Sequence, residues 1–402
     1  MKNFTFILLA LSVFYSCTTT QSIHKPDRDN YVVVLSLDAF RYDYPEIWHT
    51  PALDSLARVG VKSAFIPSFP SLTFPNHYTM ATGLYPNNSG IVHNTFIRED
   101  GAIYKIANRQ SVEDPVFYKG EPIWNTAERQ GVRSASYFWV GSETKINGHQ
   151  PSIWKKFDSS VPFESRGDSI IAWLSLPEKK RPHLLMWYIE EPDHTSHTYT
   201  PYGDETKKVV ERLDSIVGDF CYKMNQLPIA NKIDFILVSD HGMAAYNPEN
   251  YINLSDFLPR DSFQYVAEGA PTLLYTKPTY VDEAYDILSK IPHIKVWKKE
   301  DVPAKYHYGT SERISNLVIL PDVGTQLQFR SKGSPSNGAA HGYDNYDPQM
   351  RSVFYGSGPS FARGKKVKAV DNVNLYLLIC KLLNLTPAPN DGKMKDVNLL
   401  LR

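Results

Sequence analysis

The stretch "YVVVLSLDAF", residues 31–40, decides how this 402-residue chain is read. From Tyr31 to Leu37 the residues are β-branched or apolar, with only Ser36 breaking the run. That is too short for a buried helix and does not alternate, so it predicts a strand covered on both faces. The run stops on an acid, Asp38. Two later stretches repeat the pattern: "HLLMWYIE" (183–190), followed by "EPDHTSH", and "KIDFILVS" (232–239), followed at once by "DHGM". Helical signatures lie between them. In "HTPALDSLARVG" (49–60) Thr50 is placed to cap, Pro51 suits the first turn, Leu53, Leu56 and Ala57 share a face, and Gly60 closes. "TFPNHYTMATG" (73–83), "EPIWNTAERQG" (121–131) and "GDETKKVVERLDSIVGDFCYKMNQL" (203–227) read as further helices, and "VKSAFIPS" (61–68) and "VRSASYFW" (132–139) as strands. Such alternation predicts an α/β fold, a mostly parallel central sheet flanked by helices. Residues 250–335 are less regular and are expected to form an inserted cap subdomain. The main pattern resumes at "SVFYGSGPSF" (352–361) and ends in "NVNLYLLICKLLN" (372–384).

The 43 basic and 43 acidic residues balance, so nothing points to a nucleic-acid polymer as partner or to a charged disordered tail. The N-terminus, "MKNFTFILLALSVFYSCTTTQ", has one lysine before an apolar run, Phe4 to Phe14, that is short for a bilayer. It reads as a secretory leader. Its end resembles a bacterial lipoprotein cleavage site, which makes residues 1–17 the leader with Cys17 lipidated, residues 18–30 a polar tether, and residues 31–402 the catalytic domain. A plain leader cut near Ser16 or after Cys17 is the alternative. On either reading the mature protein leaves the cytoplasm. The lipid-anchored form touches membrane only through its anchor, and the polar residues after Cys17 favour the periplasmic side of the envelope. Cys221 and Cys380 are either paired or two buried thiols.

Three strands thus end on possible metal ligands: Asp38 after one, Asp193 just beyond the next, Asp240 and His241 after the third. In an open parallel sheet, ligands gather beyond the carboxyl ends of the strands. Asp38, Asp240 and His241 make one expected site, and Asp193, His197 and His341 the other. Asp193 and His197 are four apart, so one helical turn aims both at one ion. Three mixed imidazole and carboxylate ligands per site suit zinc and leave a position open, so two Zn2+ are expected. Two divalent ions against three aspartates leave about one net positive charge, attractive to a phosphodiester anion. Thr73, at the start of its helix in "FPSLTFPNHYTMATGLYP" (69–86), is either an ordinary capping hydroxyl or a nucleophile. Bound to the first metal, it becomes an accessible alkoxide. His77, one turn on, reads as a structural histidine and His194 as exposed.

The segments "LDAFRYDY" (37–44), "TPALDSLARVGV" (50–61), "FPSLTFPNHYTMATGLYPNNSGIVHN" (69–94), "EEPDHTSH" (190–197), "VSDHGM" (238–243) and "HGYDN" (341–345) stand in an order that resembles the nucleotide pyrophosphatase/phosphodiesterase family of the alkaline phosphatase superfamily. The resemblance implies Thr73 as nucleophile, and the same two ligand triads, with Thr73 also on the first metal. It implies that the Asn94 amide bonds a non-bridging phosphate oxygen alongside the Thr73 backbone N–H. Phe74, the "WVGSE" segment (139–143) with Trp139, and Phe157 are implied to line the substrate pocket. Ser196 and Thr200 stand where the family has glycines. The flanking domains of animal members are not expected. The implied activity is a phosphodiesterase or nucleotide pyrophosphatase that passes through a phosphothreonine and releases nucleoside monophosphates. A lysophospholipid or choline-phosphodiester hydrolase of the same fold, and an inactive binding lipoprotein, are the alternatives.

Overall fold

The computed structural model describes residues 30–402. The leader of residues 1–17, Cys17 itself and the polar segment up to residue 29 lie outside the described residues. Among the described residues no helix is long and apolar enough to cross a membrane.

The chain opens with β1 (Tyr31–Leu37), α1 (Pro51–Val59), β2 (Val61–Ile66) and α2 (Thr73–Thr82). It continues through α3 (Ile123–Arg129), β3 (Ser134–Tyr137), β4 (Ile153–Lys155) and α4 (Phe163–Leu174). Then come β5 (Leu184–Ile189), α5 (Asp193–Tyr199), α6 (Asp204–Asn225) and β6 (Ile233–Val238). After an irregular stretch with β7 (Phe263–Ala267), β8 (Thr272–Thr276), α7 (Val281–Leu288), β9 (Ile294–Lys298) and β10 (Leu317–Pro321), it returns to the main sheet with β11 (Ser352–Ser357) and ends around α8 (Leu375–Leu382).

The main sheet runs β2–β11–β6–β1–β5–β3–β4, with two short strands, Lys365–Lys366 and Val370–Asp371, on β2. β6, β1, β5, β3 and β4 are mutually parallel. β11 alone is reversed, antiparallel to both β2 and β6. This is the mostly parallel, helix-flanked α/β sheet expected from the sequence. The unbroken apolar run of β1 is explained by its place: all seven residues are buried, with strands on both sides and helices on both faces. Val33, Leu35 and Leu37 pack toward α1, α4 and α6 through Leu53, Leu56, Ile170, Leu213 and Phe220. Val32 and Val34 belong to the opposite core, with Tyr78 and Met80 of α2, Trp124 of α3 and Ile379 of α8.

Residues 263–321 build a four-stranded antiparallel sheet, ordered β7–β8–β10–β9. One face, with Leu274, Leu317 and Ile319, packs on Ala284 and Leu288 of α7. The other, with Leu273, Val318 and Leu320, joins the main core. Cys221 and Cys380 are free thiols that pack in cores on opposite faces of the main sheet.

Two sequence expectations for α1 change. The Thr50 side chain makes no cap bond, and its buried hydroxyl has no hydrogen-bond partner. The orphan N–H groups of the first turn donate instead to Asp214 on α6, Ala52 at 3.0 Å and Leu53 at 2.9 Å. A tertiary carboxylate has replaced the local cap, with the added attraction of a negative charge for a helix N-terminus. Gly60 follows the helix because of close approach: a Cβ there would lie 2.1 Å from the carbonyl oxygen of Gly356 on β11. Asp214→Ala should therefore lower the stability of the chain by about 1–2 kcal/mol. Denaturant unfolding would read this as a lower midpoint, and an unchanged midpoint would assign the capping elsewhere.

Candidate functional site

The strands that end on Asp38, Asp193 and Asp240 are immediate neighbours, β1 between β5 and β6. Their exits are also stitched together. The Asp38 N–H donates to the Ile189 carbonyl at 2.9 Å, and the Asp193 N–H to the Asp38 carbonyl at 3.2 Å. The N–H of Ala39 donates to Asp240 Oδ1 at 3.2 Å and that of Phe40 to Ser239 Oγ at 2.9 Å. Ala39 takes a left-handed φ of 54° to make this turn, an unfavourable conformation for a non-glycine residue. His341 arrives from far along the chain because Ala339–Ala340 pairs antiparallel with Ala244–Ala245, just beyond β6.

The ligand atoms fall into two triads, Asp38–Asp240–His241 and Asp193–His197–His341, each with its donor atoms within 4.8 Å of one another. His241 Nε2 lies 3.5 Å from Asp38 Oδ1 and 3.1 Å from Asp240 Oδ2. Asp193 Oδ1 lies 3.4 Å from His197 Nε2 and 3.6 Å from His341 Nε2. The His241 and His341 rings stack with centroids 3.7 Å apart, which joins the triads into one site.

These residues fit divalent cations on two independent grounds. First, each imidazole has its Nδ1 against a backbone carbonyl: His241 on Gly242 at 2.9 Å, His341 on Ser71 at 3.0 Å, His197 on Ala339 at 2.8 Å. A carbonyl only accepts, so each Nδ1 carries a proton and every Nε2 is aimed at the cluster, ready to ligate once free of its own proton. Second, Asp38 Oδ1, Asp193 Oδ1 and Asp240 Oδ2 are buried with no hydrogen-bond partner. The other oxygens of two of these acids are held, Asp38 Oδ2 by the Tyr188 hydroxyl at 2.5 Å and Asp240 Oδ1 by Ala39 N–H. A buried carboxylate oxygen left bare costs several kcal/mol unless a positive charge answers it.

The electrostatics without a cation are correspondingly uneven. Burial, then the charges of Asp240 and Asp193, push the Asp38 carboxyl well above its usual value. Burial opposes ionisation of Asp240, but His241 and His77 outweigh it and hold its carboxyl below the usual range. Burial and the neighbouring His241 pull His341 down to about 3. Burial also acts against the charge on His197, yet Asp193 more than offsets it and lifts His197 to about 8.

Thr73 is the first residue of α2 and not its cap, a place taken by Leu72. Thr73 Oγ1 sits 3.1 Å from His241 Nε2, at the edge of the first triad. The Phe74 N–H donates to Asn94 Oδ1 at 3.1 Å, which fixes the Asn94 amide and leaves its NH2 group to donate elsewhere. His77 is structural, as expected: it is fully buried, with Nδ1 on the Thr73 carbonyl at 2.9 Å and Nε2 on Ser36 Oγ at 2.8 Å. His194 is exposed.

Beside Thr73 opens a cleft of about 390 Å³ lined by Phe74, Phe138, Val140, Phe157 and Tyr188, with an Arg109–Glu143 ion pair among its lining. Phe74 and Phe157 both line this cleft, and Trp139 does not. It is fully buried, and its Nε1–H donates to the His77 carbonyl at 3.1 Å, so it braces α2 from behind while its neighbours Val140, Gly141 and Glu143 face the cleft. Sequence reasoning missed Tyr188 and Arg109. Tyr188 reads as one more buried strand residue, and only its pairing opposite Ser36 on β1 carries it to Asp38. Arg109 lies in a loop-rich stretch with no periodic signal.

Thr200, immediately after the helix that carries Asp193 and His197, has φ 64° and ψ 161°. Glycine adopts that conformation freely and threonine does not.

The sequence model of the family described as type I phosphodiesterase / nucleotide pyrophosphatase matches residues 32–344. Human ectonucleotide pyrophosphatase/phosphodiesterase family member 1 is 36% identical over 385 residues, covering 92% of this chain and 42% of that protein. Venom phosphodiesterase CdcPDE of Crotalus durissus collilineatus is 34% identical over 395 residues, 92% of this chain and 46% of its own length. The chain thus spans less than half the length of these relatives. Among solved structures, an inactive threonine-to-alanine form of murine ectonucleotide pyrophosphatase/phosphodiesterase 5 in complex with AMP superposes with a TM-score of 0.89 at 30% identity, over 93% of this chain and 100% of that one.

Two outcomes are expected. Thr200→Gly should raise stability by about 1 kcal/mol, the relieved strain less the added freedom of the unfolded glycine, read as a higher melting temperature. At pH 7 the cation-free chain keeps a proton on His197, because Asp193 holds it at about 8. Coordination needs the Nε2 lone pair, so zinc uptake should release at least about one proton and weaken as pH falls below 8. Titration calorimetry in buffers of different ionisation enthalpy measures this, and uptake without proton release at pH 7 would show that Asp193 does not keep His197 charged.

Proposed function

Because the chain belongs to the type I phosphodiesterase / nucleotide pyrophosphatase family, we propose that it hydrolyses nucleotide phosphodiesters and pyrophosphates, with Thr73 as nucleophile, and releases nucleoside monophosphates. The observation that carries the reading is the pair of triads with three bare carboxylate oxygens beside a threonine hydroxyl that caps nothing. Asp38, Asp240, His241 and Thr73 would hold one zinc ion, and Asp193, His197 and His341 a second. Bound there, such cations supply the Lewis acidity that makes a threonine alkoxide accessible near neutral pH and neutralises charge on a leaving oxygen.

The chain's own groups account for the rest. Thr73 Oγ1 attacks phosphorus in line, and its proton passes to solvent. Asn94, its carbonyl held by Phe74 N–H, donates from its NH2 group to a non-bridging oxygen. One neutral donor there suits a diester better than a dianionic monoester, which would call for a guanidinium. The leaving oxygen departs on the side of Asp193, His197 and His341. Water then displaces Thr73 Oγ1 from the phosphothreonine and restores the hydroxyl. The retained nucleoside lies in the aromatic cleft, its base between Phe74 and Phe157. The murine neighbour solved in complex with AMP supports a nucleotide as the ligand class.

The leader reading extends this to location: an extracytoplasmic enzyme, lipid-anchored through Cys17 and facing the periplasm.

Thr73→Ala should lower kcat for a thymidine-monophosphate nitrophenyl ester by at least about 10³-fold while two zinc ions remain bound by metal analysis. Full activity in that variant ends the nucleophile assignment. Phe157→Ala should raise KM for nucleotides about tenfold through lost stacking. A lysophospholipid assayed beside them separates nucleotide from lipid diesterase, since faster turnover of the lipid would overturn the substrate class.

A further inference from the structure

The reaction divides its substrate at phosphorus, and the two sides of the site are not alike. The retained half has the aromatic cleft. A second hollow, of about 190 Å³, has His197, His341 and Asn94 in its wall, next to the second triad. Resting on the function proposed above, we propose that this hollow is a leaving-group subsite that selects an uncharged, ring-bearing group, a nucleoside in preference to pyrophosphate.

The walls carry the argument. Leu72, Leu327, Tyr246, Thr325 and Tyr343 line the hollow, and no lysine or arginine is among the described residues that line it. Pyrophosphate leaves with several negative charges, and a site built for it would present guanidinium or ammonium groups. Arg330, the cation that acts on Tyr246, instead turns to Glu268, at 4.0 Å. Leu72 and Leu327 are buried, and the Tyr343 hydroxyl is spent on the Thr325 carbonyl at 3.1 Å. Half-buried Tyr246 offers a ring for stacking. Thr325 Oγ1 is buried without a hydrogen-bond partner, a polar handle in an otherwise apolar wall. The hollow has about half the volume of the aromatic cleft, room for one ring system at a time.

The step balances without further reagents. The bond from phosphorus to the leaving oxygen breaks as the bond to Thr73 Oγ1 forms. The leaving oxygen keeps the electron pair and takes a proton from solvent, and water then cleaves the phosphothreonine.

Three substrates that share the thymidine 5′-phosphate half isolate the leaving group: thymidylyl-thymidine, thymidine triphosphate and the nitrophenyl ester. With the full chain loaded with zinc, Tyr246→Ala should lower kcat/KM for thymidylyl-thymidine about tenfold and change that for thymidine triphosphate by less than about twofold. Tyr246→Phe should restore the wild-type ratio, and Tyr246→Arg should raise triphosphate turnover relative to the dinucleoside. Equal losses on both substrates in Tyr246→Ala, or no loss on thymidylyl-thymidine, would overturn the subsite. Wild-type protein that turns over none of the three would remove the phosphodiesterase reading itself, whereas turnover with an indifferent Tyr246 removes only the subsite.

Discussion

Three buried carboxylate oxygens without a hydrogen-bond partner, one each from Asp38, Asp193 and Asp240, set the terms for everything around them. A protein interior tolerates such atoms only where positive charge is supplied. The surroundings are arranged to supply it from outside the chain. The imidazoles aim Nε2 at the cluster, Tyr188 and Ala39 hold the spare oxygens of Asp38 and Asp240, and the backbone carbonyls of Ser71, Gly242 and Ala339 fix the rings. The same frustration explains why neighbouring groups of one type are driven apart, Asp38 upward and Asp240 downward, His341 downward and His197 upward.

Much of this site was legible before any fold was known, because strands buried on both faces declare themselves by unbroken apolar runs. Where such a run stops on an acid, the acid sits at the rim. The sheet order then does what the sequence cannot: it makes the strands ending at Asp38, Asp193 and Asp240 adjacent. The four-residue spacing of Asp193 and His197 was readable as one helical turn, and the turn is there. His341 was grouped with Asp193 and His197 by ligand type alone, since the short Ala244–Ala340 pairing that delivers it has no sequence signature.

Other parts were hidden for physical reasons. Trp139 belongs to a pocket segment by its neighbours, yet at a strand's end one residue in either direction changes the face, and Trp139 points into the core. The cap of α1 was read locally at Thr50, but a carboxylate far along the chain, Asp214, does the work. Residues 263–321 looked irregular because their sheet is antiparallel and half exposed to a second small core, so neither long apolar runs nor long helices announce it.

The direction of β1 has one more consequence. The described chain enters at Asn30, at the amino end of that strand, while the rim that carries the two triads lies past its carboxyl end. Seven strand residues put roughly 20–25 Å of packed protein between the two. Whatever precedes Asn30 therefore joins the sheet at the end remote from the mouth of the site, and the two can vary without meeting.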